Sequence, residues 1–280
     1  MQQDRQWGNF KPGRALKRKM DYIRLMFLNL FLQSALIIYI SMTVLFLVAI
    51  LIKDNSIVDS FWGFGFLVIT TYTLIASGDI TLKKILLLGM VALWSLRLVS
   101  HIFKRNRKRG EDFRYQAWRK QWKNFYLRSY FQVILLQGSI MVLVASPIIM
   151  VNSSSGGQPG FIYFLGITIF LAGFSFESIA DIQLQNFKKD PENTGKLLTS
   201  GLWKFSRHPN YFGEAILWFG IWLIALPEVD GVFTILSPLL ITFLLRYVSG
   251  VPMMEKKYEG SEEWESYKRE APPFVPKFRK

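Results

Sequence analysis

The chain has 280 residues, of which 51% are hydrophobic and 16% aromatic, and the apolar residues occur in long runs. Such runs are typical of helices that cross a bilayer, which excludes an ordinary soluble domain. The absence of cysteine excludes disulfides, thiolate metal sites and a cysteine nucleophile. The formal net charge of +14 is typical of a membrane protein with basic cytoplasmic loops, and we expect no nucleic-acid partner.

Seven apolar segments are long enough, or nearly so, to cross a bilayer as helices. The first would extend about 40 Å as a helix, which exceeds the roughly 30 Å hydrocarbon core. The predicted spans are 26–52, 57–77, 82–103, 129–151, 160–181, 211–227 and 232–249. We therefore predict an all-α fold, a polytopic bundle of about seven transmembrane helices that form one domain at residues 26–249.

Basic residues are distributed unevenly between the connecting segments. Most Lys and Arg lie in 104–128, 182–209 and 250–280, whereas the loops 152–159 and 227–230 contain none. The positive-inside rule therefore predicts a cytoplasmic C-terminus, with 250–280 packed against the cytoplasmic face. Seven spans would then place the basic N-terminal tail, residues 1–25, outside, in conflict with the same rule.

Two ionisable residues lie in the second and third predicted spans. Asp59 stands near one end of its span, where it is either an N-terminal helix cap or a buried acid. Arg97 lies some six residues from the basic loop, so it either extends to the interface or has a partner inside the membrane.

A polar stripe marks the end of the fifth predicted span. Glu177, Asp181, Gln185 and Lys188 follow at spacings of four, four and three, which places them on one helix face. The stripe is either a solvated helix end or the wall of a cavity. Glu177 lies too deep for bulk water to reach it unless a cavity opens there.

The run Arg207-His208-Pro209 begins the sixth predicted span. Pro209 is well suited to a first helical turn, where its missing N–H is harmless. The free amide groups of that turn, with Arg207 and His208 beside them, form a candidate anion site suited to a pyrophosphate. The alternative is a capped helix start at the interface. We expect no metal site, because the chain has one other histidine and no thiol.

The residues that follow Pro209 carry further polar groups. Asn210 and Glu214, four apart, share a helix face and could bind an amide or a ribose hydroxyl, while Tyr211 offers a ring or a hydroxyl. In the basic loop, Arg114 and Tyr115 precede Trp118 and Trp122. This loop could bind an adenine and a phosphate, or contact lipid headgroups.

The run 201–214, with the sequence GLWKFSRHPNYFGE, is similar to the signature of steroid 5α-reductase-like membrane proteins, particularly their uncharacterised bacterial branch. The resemblance extends from about residue 55 to the C-terminus, with similar motifs in the same order at 58–63, 94–97, 110–115, 180–183 and 249–252. It implies seven helices, a cytoplasmic C-terminus and a location in the bacterial inner membrane. It also implies NADPH in a polar cavity and a lipid-like substrate that enters from the membrane.

The resemblance also implies roles for single residues. Positions that contact or lie near the cofactor in the reductases are matched by Arg97, Asp181, Asn210 and Arg246. At two further such positions, Lys188 stands where an arginine is usual and Glu177 where an asparagine is usual. The tyrosine that polarises a substrate carbonyl in the steroid reductases is replaced here by Trp94, which cannot act as that acid. Asp59 only loosely matches the glutamate that assists the tyrosine.

The predicted function is hydride transfer from NADPH to an activated C=C bond of a lipid or steroid-like substrate, with Asp59 or Tyr211 as the proton donor. The predicted cofactor-binding residues are Arg97, Arg114, Tyr115, Glu177, Asp181, Lys188, Arg207, His208, Asn210, Glu214 and Arg246.

Two alternatives remain open. Isoprenylcysteine-type methyltransferases, which use S-adenosylmethionine, share an Arg-His-Pro-x-Tyr-x-Gly run. They usually have two adjacent acids after the last span, where this chain has Met254-Glu255-Lys256. The second alternative is a non-catalytic lipid-binding protein on the same fold.

Overall fold

A computed structural model describes residues 12–106, 111–155 and 158–278 of the chain. Residues 1–11 of the basic tail and the motif glycine Gly110 lie outside the described residues. No strand occurs among the residues described. The α-helices are α1 (Pro12–Ile52), α2 (Ile57–Ala76), α3 (Leu82–Asn106), α4 (Phe113–Gln121), α5 (Phe125–Ser129), α6 (Leu136–Val144), α7 (Ser146–Ser153), α8 (Phe161–Lys189), α9 (Pro209–Ala225), α10 (Leu236–Phe243), α11 (Val251–Glu255) and α12 (Glu262–Glu270).

The predicted all-α polytopic bundle is confirmed. Within the described ranges, six helical segments are long and apolar enough to cross a membrane: Arg14–Ile52, Ile57–Ala76, Leu82–Lys104, Phe125–Val144, Phe161–Lys189 and Gly231–Glu255. Helix α9 is apolar but has only 17 residues, and it packs along α8. It corresponds to the sixth predicted span, so each of the seven predicted segments has a helical counterpart.

The first helix differs most from its predicted bounds. Helix α1 begins at Pro12 rather than at residue 26, because residues 14–19 are Arg, Ala, Leu and Lys, which favour helix, and because Pro12 suits a first turn. Its 41 residues extend about 60 Å, roughly twice the hydrocarbon thickness. Residues 12–25, predicted as a tail, therefore continue the first span as a helix.

Two predicted spans are interrupted rather than continuous. The fourth contains a π-helical segment at Tyr130–Leu135 and then breaks at Ala145, because Pro147 lies in the first turn of the next helix and has no N–H to donate. The last consists of a 3₁₀ segment at Gly231–Ile235, helix α10, and a π-helical segment at Leu244–Val248. Apolar periodicity alone does not reveal these changes of helix type.

Ion pairs identify which elements share each face of the bundle. Arg24 of α1 donates to Asp230 at 2.6 Å, and Lys83 pairs with Glu228, so the start of α1 and the α9–α10 loop lie together on what we call the N-terminal face. On the opposite face, the C-terminal face, the backbone N–H of Arg207 donates to the carbonyl of Pro272 at 2.9 Å. The C-terminal segment therefore contacts the residues that immediately precede α9.

Helices α8 and α9 make the closest contact in the bundle. Gly173 and Gly213 face each other, and a Cβ atom at Gly173 would lie 2.5 Å from the backbone nitrogen of Leu217. Seven residues along each helix, Gly166 and Gly220 repeat the same contact. Small residues that let two helix backbones approach are typical of membrane helix packing. This approach brings the polar residues at one end of both helices together.

Candidate functional site

A buried ion cluster lies where α3, α8 and α9 meet. Arg97 of α3 donates from Nη1 to Asp181 Oδ2 at 2.8 Å and from Nη2 to Glu177 Oε1. The side chain of Arg97 is 18% exposed and those of its two partners are nearly buried. Arg97 therefore binds two carboxylates inside the bundle and does not extend to the interface.

Helix α9 supplies the other two members of this buried cluster. Asn210 donates from Nδ2 to Asp181 Oδ1 at 3.1 Å. Glu214, one turn later, is buried and close enough to interact electrostatically with both Arg97 and Asp181. The sequence-predicted residues Arg97, Glu177, Asp181, Asn210 and Glu214 thus converge, and we call them the buried cluster.

Three polar atoms of the buried cluster lack a hydrogen-bond partner among the described residues. They are Arg97 Nε, Glu177 Oε2 and Asn210 Oδ1, and each is shielded from solvent. A buried polar atom left unpaired costs about 1–3 kcal/mol, so native proteins rarely leave several together. One donor and two acceptors on three helices therefore indicate a place where a polar ligand or water binds.

Aromatic rings pack one turn deeper than the buried cluster. Trp94 and Trp218 meet edge to face with their ring centroids 5.4 Å apart, and Phe66 lies against both. Both indole Nε1 atoms are buried without a partner in the described part of the chain. Trp94, which replaces the tyrosine of the steroid reductases, is therefore a core residue with an N–H that could still donate.

Sequence reasoning missed the outer edge of this cluster. His101, one turn beyond Arg97, has Nδ1 3.6 Å from Asp181 Oδ2 and 2.8 Å from Gln185 Nε2. The spacing of four residues between Arg97 and His101 places both on one helix face and could have indicated this contact from the sequence. Lys188, at the end of the predicted stripe, is exposed.

Asp59 belongs to a second group of residues. Arg114 donates to its Oδ2 at 2.5 Å and the hydroxyl of Tyr115 donates to its Oδ1 at 2.8 Å. The N-cap of α2 is Ser56, and Asp59 lies in the first turn, so of the two alternatives left open for Asp59 the helix cap is excluded. Burial, reinforced by Asp59, raises the pKa of Tyr115, which keeps its phenol protonated. Arg114 and Tyr115 thus fasten the start of α4 to α2.

Glu255 organises a third group of residues. Arg207 donates to its two carboxylate oxygens at 2.8 and 3.2 Å, and His208 Nε2 lies 3.1 Å from Oε1. Arg207 also donates to the carbonyl of Ala271 at 2.9 Å, which ties the C-terminal segment to the start of α9. The predicted anion site therefore already holds a carboxylate of the chain itself, which a pyrophosphate would have to displace.

The two remaining predicted residues lie beside this third group. Tyr211 stacks on His208 with the rings 5.3 Å apart and 4° from parallel. Arg246 lies over the ring of Tyr247 at 4.8 Å and close enough to His208 to disfavour its protonation. Burial is the main reason that the pKa of His208 is lowered, and Glu255 partly opposes it.

An apolar groove of about 750 Å³ lies at the N-terminal face, between α1 and α10. Its lining includes Phe27, Phe31, Met150 and Leu240, and Arg24 and Asp230 stand at its edge. It shares no lining residue with the buried cluster, so the buried cluster and this groove are separate features.

A family model described as "Protein of unknown function (DUF1295)" matches residues 45–271, which contain all three groups of polar residues. The chain belongs to this family. Membership agrees with the motif resemblance to steroid 5α-reductase-like proteins.

A segment of 66 residues, 24% of this chain, is 39% identical to a protein named "Probable O-methyltransferase ustE" from Ustilaginoidea virens. The match spans 22% of that protein's length, about a fifth.

Proposed function

We propose that this DUF1295 protein is an NADPH-dependent membrane reductase, which transfers a hydride to an activated C=C bond of a lipid or steroid-like substrate. The observation that supports this most directly is the set of unpartnered buried atoms of Arg97, Glu177 and Asn210. A carboxamide has both a donor and an acceptor, so it could pair with these atoms. We also expect the protein in the inner membrane of a bacterium, as the resemblance implies.

Charge indicates which part of the cofactor fits the buried cluster. The cluster contains one arginine and three carboxylates, Glu177, Asp181 and Glu214, so it repels a phosphate. It would favour an amide, a ribose hydroxyl or a ring that becomes positive. The phosphates would then lie toward the C-terminal face, where Lys188 and Arg246 are candidates. Arg207 is the weaker candidate because it already binds Glu255.

The chemistry that bound NADPH supplies is hydride donation, and the chain must provide a proton for the other carbon. Asp59 accepts hydrogen bonds at both carboxylate oxygens, from Arg114 and Tyr115, which leaves it poorly placed to donate a proton. Tyr211 has an O–H and lies beside His208 at the start of α9. We therefore favour Tyr211 over Asp59 as the proton donor.

A methyltransferase is the second candidate, and two observations favour it. An acidic buried cluster would also suit the sulfonium cation of S-adenosylmethionine, and one relative is named as a probable O-methyltransferase. Against it, Glu255 is followed by Lys256 rather than by a second acid, and its carboxylate is bound by Arg207 and His208. In a non-catalytic lipid-binding protein, water rather than a cofactor would pair with these buried atoms of Arg97, Glu177 and Asn210.

Equilibrium binding to the purified wild-type protein in detergent tests the proposal. NADPH and S-adenosylmethionine should be titrated separately, with NADH as a third ligand. We expect saturable binding of NADPH and none of S-adenosylmethionine. Binding of S-adenosylmethionine alone would contradict the reductase proposal and support the methyltransferase. Binding of neither cofactor would support the non-catalytic lipid-binding role.

A further inference from the structure

A basic pocket lies on the C-terminal face, and none of its lining residues belongs to the buried cluster. Its volume is about 390 Å³, and it is formed around the junction of α5 with the π-helical segment that follows. The lining residues are Lys123, Asn124, Leu127, Arg128, Phe131 and Gln132.

The two cations of this pocket are free of acidic partners. Lys123 and Arg128 make no ion pair with any carboxylate among the described residues, whereas the nearby Arg119 is paired with Glu111. Arg128 lies over the ring of Trp122 at 5.1 Å, which holds its guanidinium at the pocket. The pocket lining therefore has a formal charge of +2 and no acid.

The pocket lies at the boundary of the membrane. The span Phe125–Val144 begins within it, and Trp118 and Trp122 stack beside it with centroids 5.0 Å apart. Tryptophan side chains are enriched at the level of lipid headgroups. Leu127 and Phe131, which lie four and eight residues after Lys123 and inside the span, are 61% and 57% exposed. Cations thus stand at headgroup level and apolar side chains continue toward the hydrocarbon.

We propose that this pocket binds the phosphodiester headgroup of an anionic phospholipid. The phosphate lies between Lys123 and Arg128, and one acyl chain follows Leu127 and Phe131. An anionic lipid is favoured over a zwitterionic one because the lining offers no carboxylate to an ammonium or choline group. The inference is independent of the reductase proposal, because it concerns residues outside the buried cluster and requires no cofactor.

Native mass spectrometry of the delipidated protein in detergent tests this site. Phosphatidylglycerol and phosphatidylcholine are titrated against wild type, the double variant Lys123→Gln/Arg128→Gln, and the control Lys196→Gln/Lys204→Gln. The control removes two exposed lysines elsewhere on the chain. At about 1 kcal/mol for each basic residue near a lipid surface, the pocket variant should bind phosphatidylglycerol roughly 30-fold more weakly. The control should bind it as wild type does.

Three outcomes would overturn the proposal. They are equal affinity of wild type and the pocket variant for phosphatidylglycerol, equal binding of phosphatidylcholine by wild type, and competition by inorganic phosphate as effective as by the lipid. The last would show that a free phosphate rather than a lipid occupies the pocket. All four substituted residues are exposed, so both double variants are expected to fold, which far-UV circular dichroism checks.

Discussion

Arg97 is the residue on which the buried cluster depends. Its guanidinium is the cation that binds both Glu177 and Asp181, and it lies in the membrane-spanning part of α3. Removing one partner of a buried ion pair leaves uncompensated charge, which is far more costly than the pair is stabilising. The cluster is therefore a stability requirement as well as a candidate site.

The variant Arg97→Met should lower the free energy of unfolding by about 3–5 kcal/mol, because two buried carboxylates lose their cation. Thermal unfolding in detergent measures the change. The matched control is Arg24→Met, which breaks the exposed pair with Asp230 and should leave unfolding unchanged. Similar losses in the two variants would contradict the burial argument.

His208 should make stability depend on pH. Burial lowers its pKa in the folded protein, so below the usual value of about 6.5 the unfolded chain binds a proton more readily. Stability should therefore fall as the pH drops from 7.5 to 5.5. Over this range the melting temperature of His208→Gln should fall less than that of wild type. Any contribution of His101 is the same in both proteins and cancels in the comparison. Parallel pH profiles would contradict the prediction.

Local spacing predicted which residues of the buried cluster share a helix face, but it did not predict the long-range partner of Arg207. The four-residue spacings of Glu177 with Asp181 and of Asn210 with Glu214 placed each pair on one helix face, and both faces do meet. The partnership of Arg207 with Glu255 joins positions 48 residues apart. No periodicity connects such positions, so the sequence suggested an anion site where the chain supplies its own carboxylate.

At the scale of elements, the α8–α9 contact positions the site. Gly173 and Gly213 allow the two backbones to approach, and a Cβ at Gly213 would lie 2.5 Å from the backbone nitrogen of Glu177. The glycines therefore determine how close the acids of α8 lie to Asn210 and Glu214. Apolar length alone predicted both segments as helices; α8 is long enough to cross a membrane, whereas α9 has only 17 residues.

The variant Gly173→Ala should be destabilised by about 1–3 kcal/mol, because its Cβ meets backbone atoms that cannot rotate away. Gly89→Ala is the matched control, since nothing lies within 4 Å of a Cβ there. The control should be as stable as wild type or about 0.5–1 kcal/mol more stable, from helix propensity. Thermal unfolding of both variants measures this, and equal effects would contradict the packing argument.

Breaks within helices were beyond the sequence analysis. Pro147 lies in the first turn of α7, which follows a turn at Ala145, although the run 129–151 has the pattern of one continuous apolar span. Such breaks depend on how neighbouring helices satisfy the backbone groups that a proline frees, and a single apolar pattern does not contain this information.

At the scale of the whole molecule, α1 determines on which face the basic residues near the N-terminus lie. The ion pair of Arg24 with Asp230 places the start of this helix on the face opposite the C-terminal segment. The basic residues Arg14, Lys17, Arg18 and Lys19 then project from the N-terminal face. The positive-inside rule still predicts that the C-terminal face, with the other basic segments, is cytoplasmic.

Single cysteines test this orientation, since the chain has none of its own. Tyr22→Cys on the N-terminal face and Lys196→Cys in the α8–α9 loop both replace exposed side chains. In intact cells, a membrane-impermeant maleimide should label Tyr22→Cys at once and Lys196→Cys only after permeabilisation. Labelling of both cysteines from the same side would show that an even number of spans separates residues 22 and 196, which would contradict this orientation.

The affinity for NADPH of Asn210→Ala, compared with Asn152→Ala, tests most directly whether the buried cluster is the cofactor site. In both asparagines Oδ1 has no hydrogen-bond partner among the residues that the structure describes, but Asn152 lies near the N-terminal face and donates to Thr73 at 2.7 Å. Loss of one buried hydrogen bond predicts roughly tenfold to hundredfold weaker binding for Asn210→Ala and wild-type affinity for Asn152→Ala. Wild-type affinity in Asn210→Ala, with the protein folded, would show that NADPH does not bind at the buried cluster.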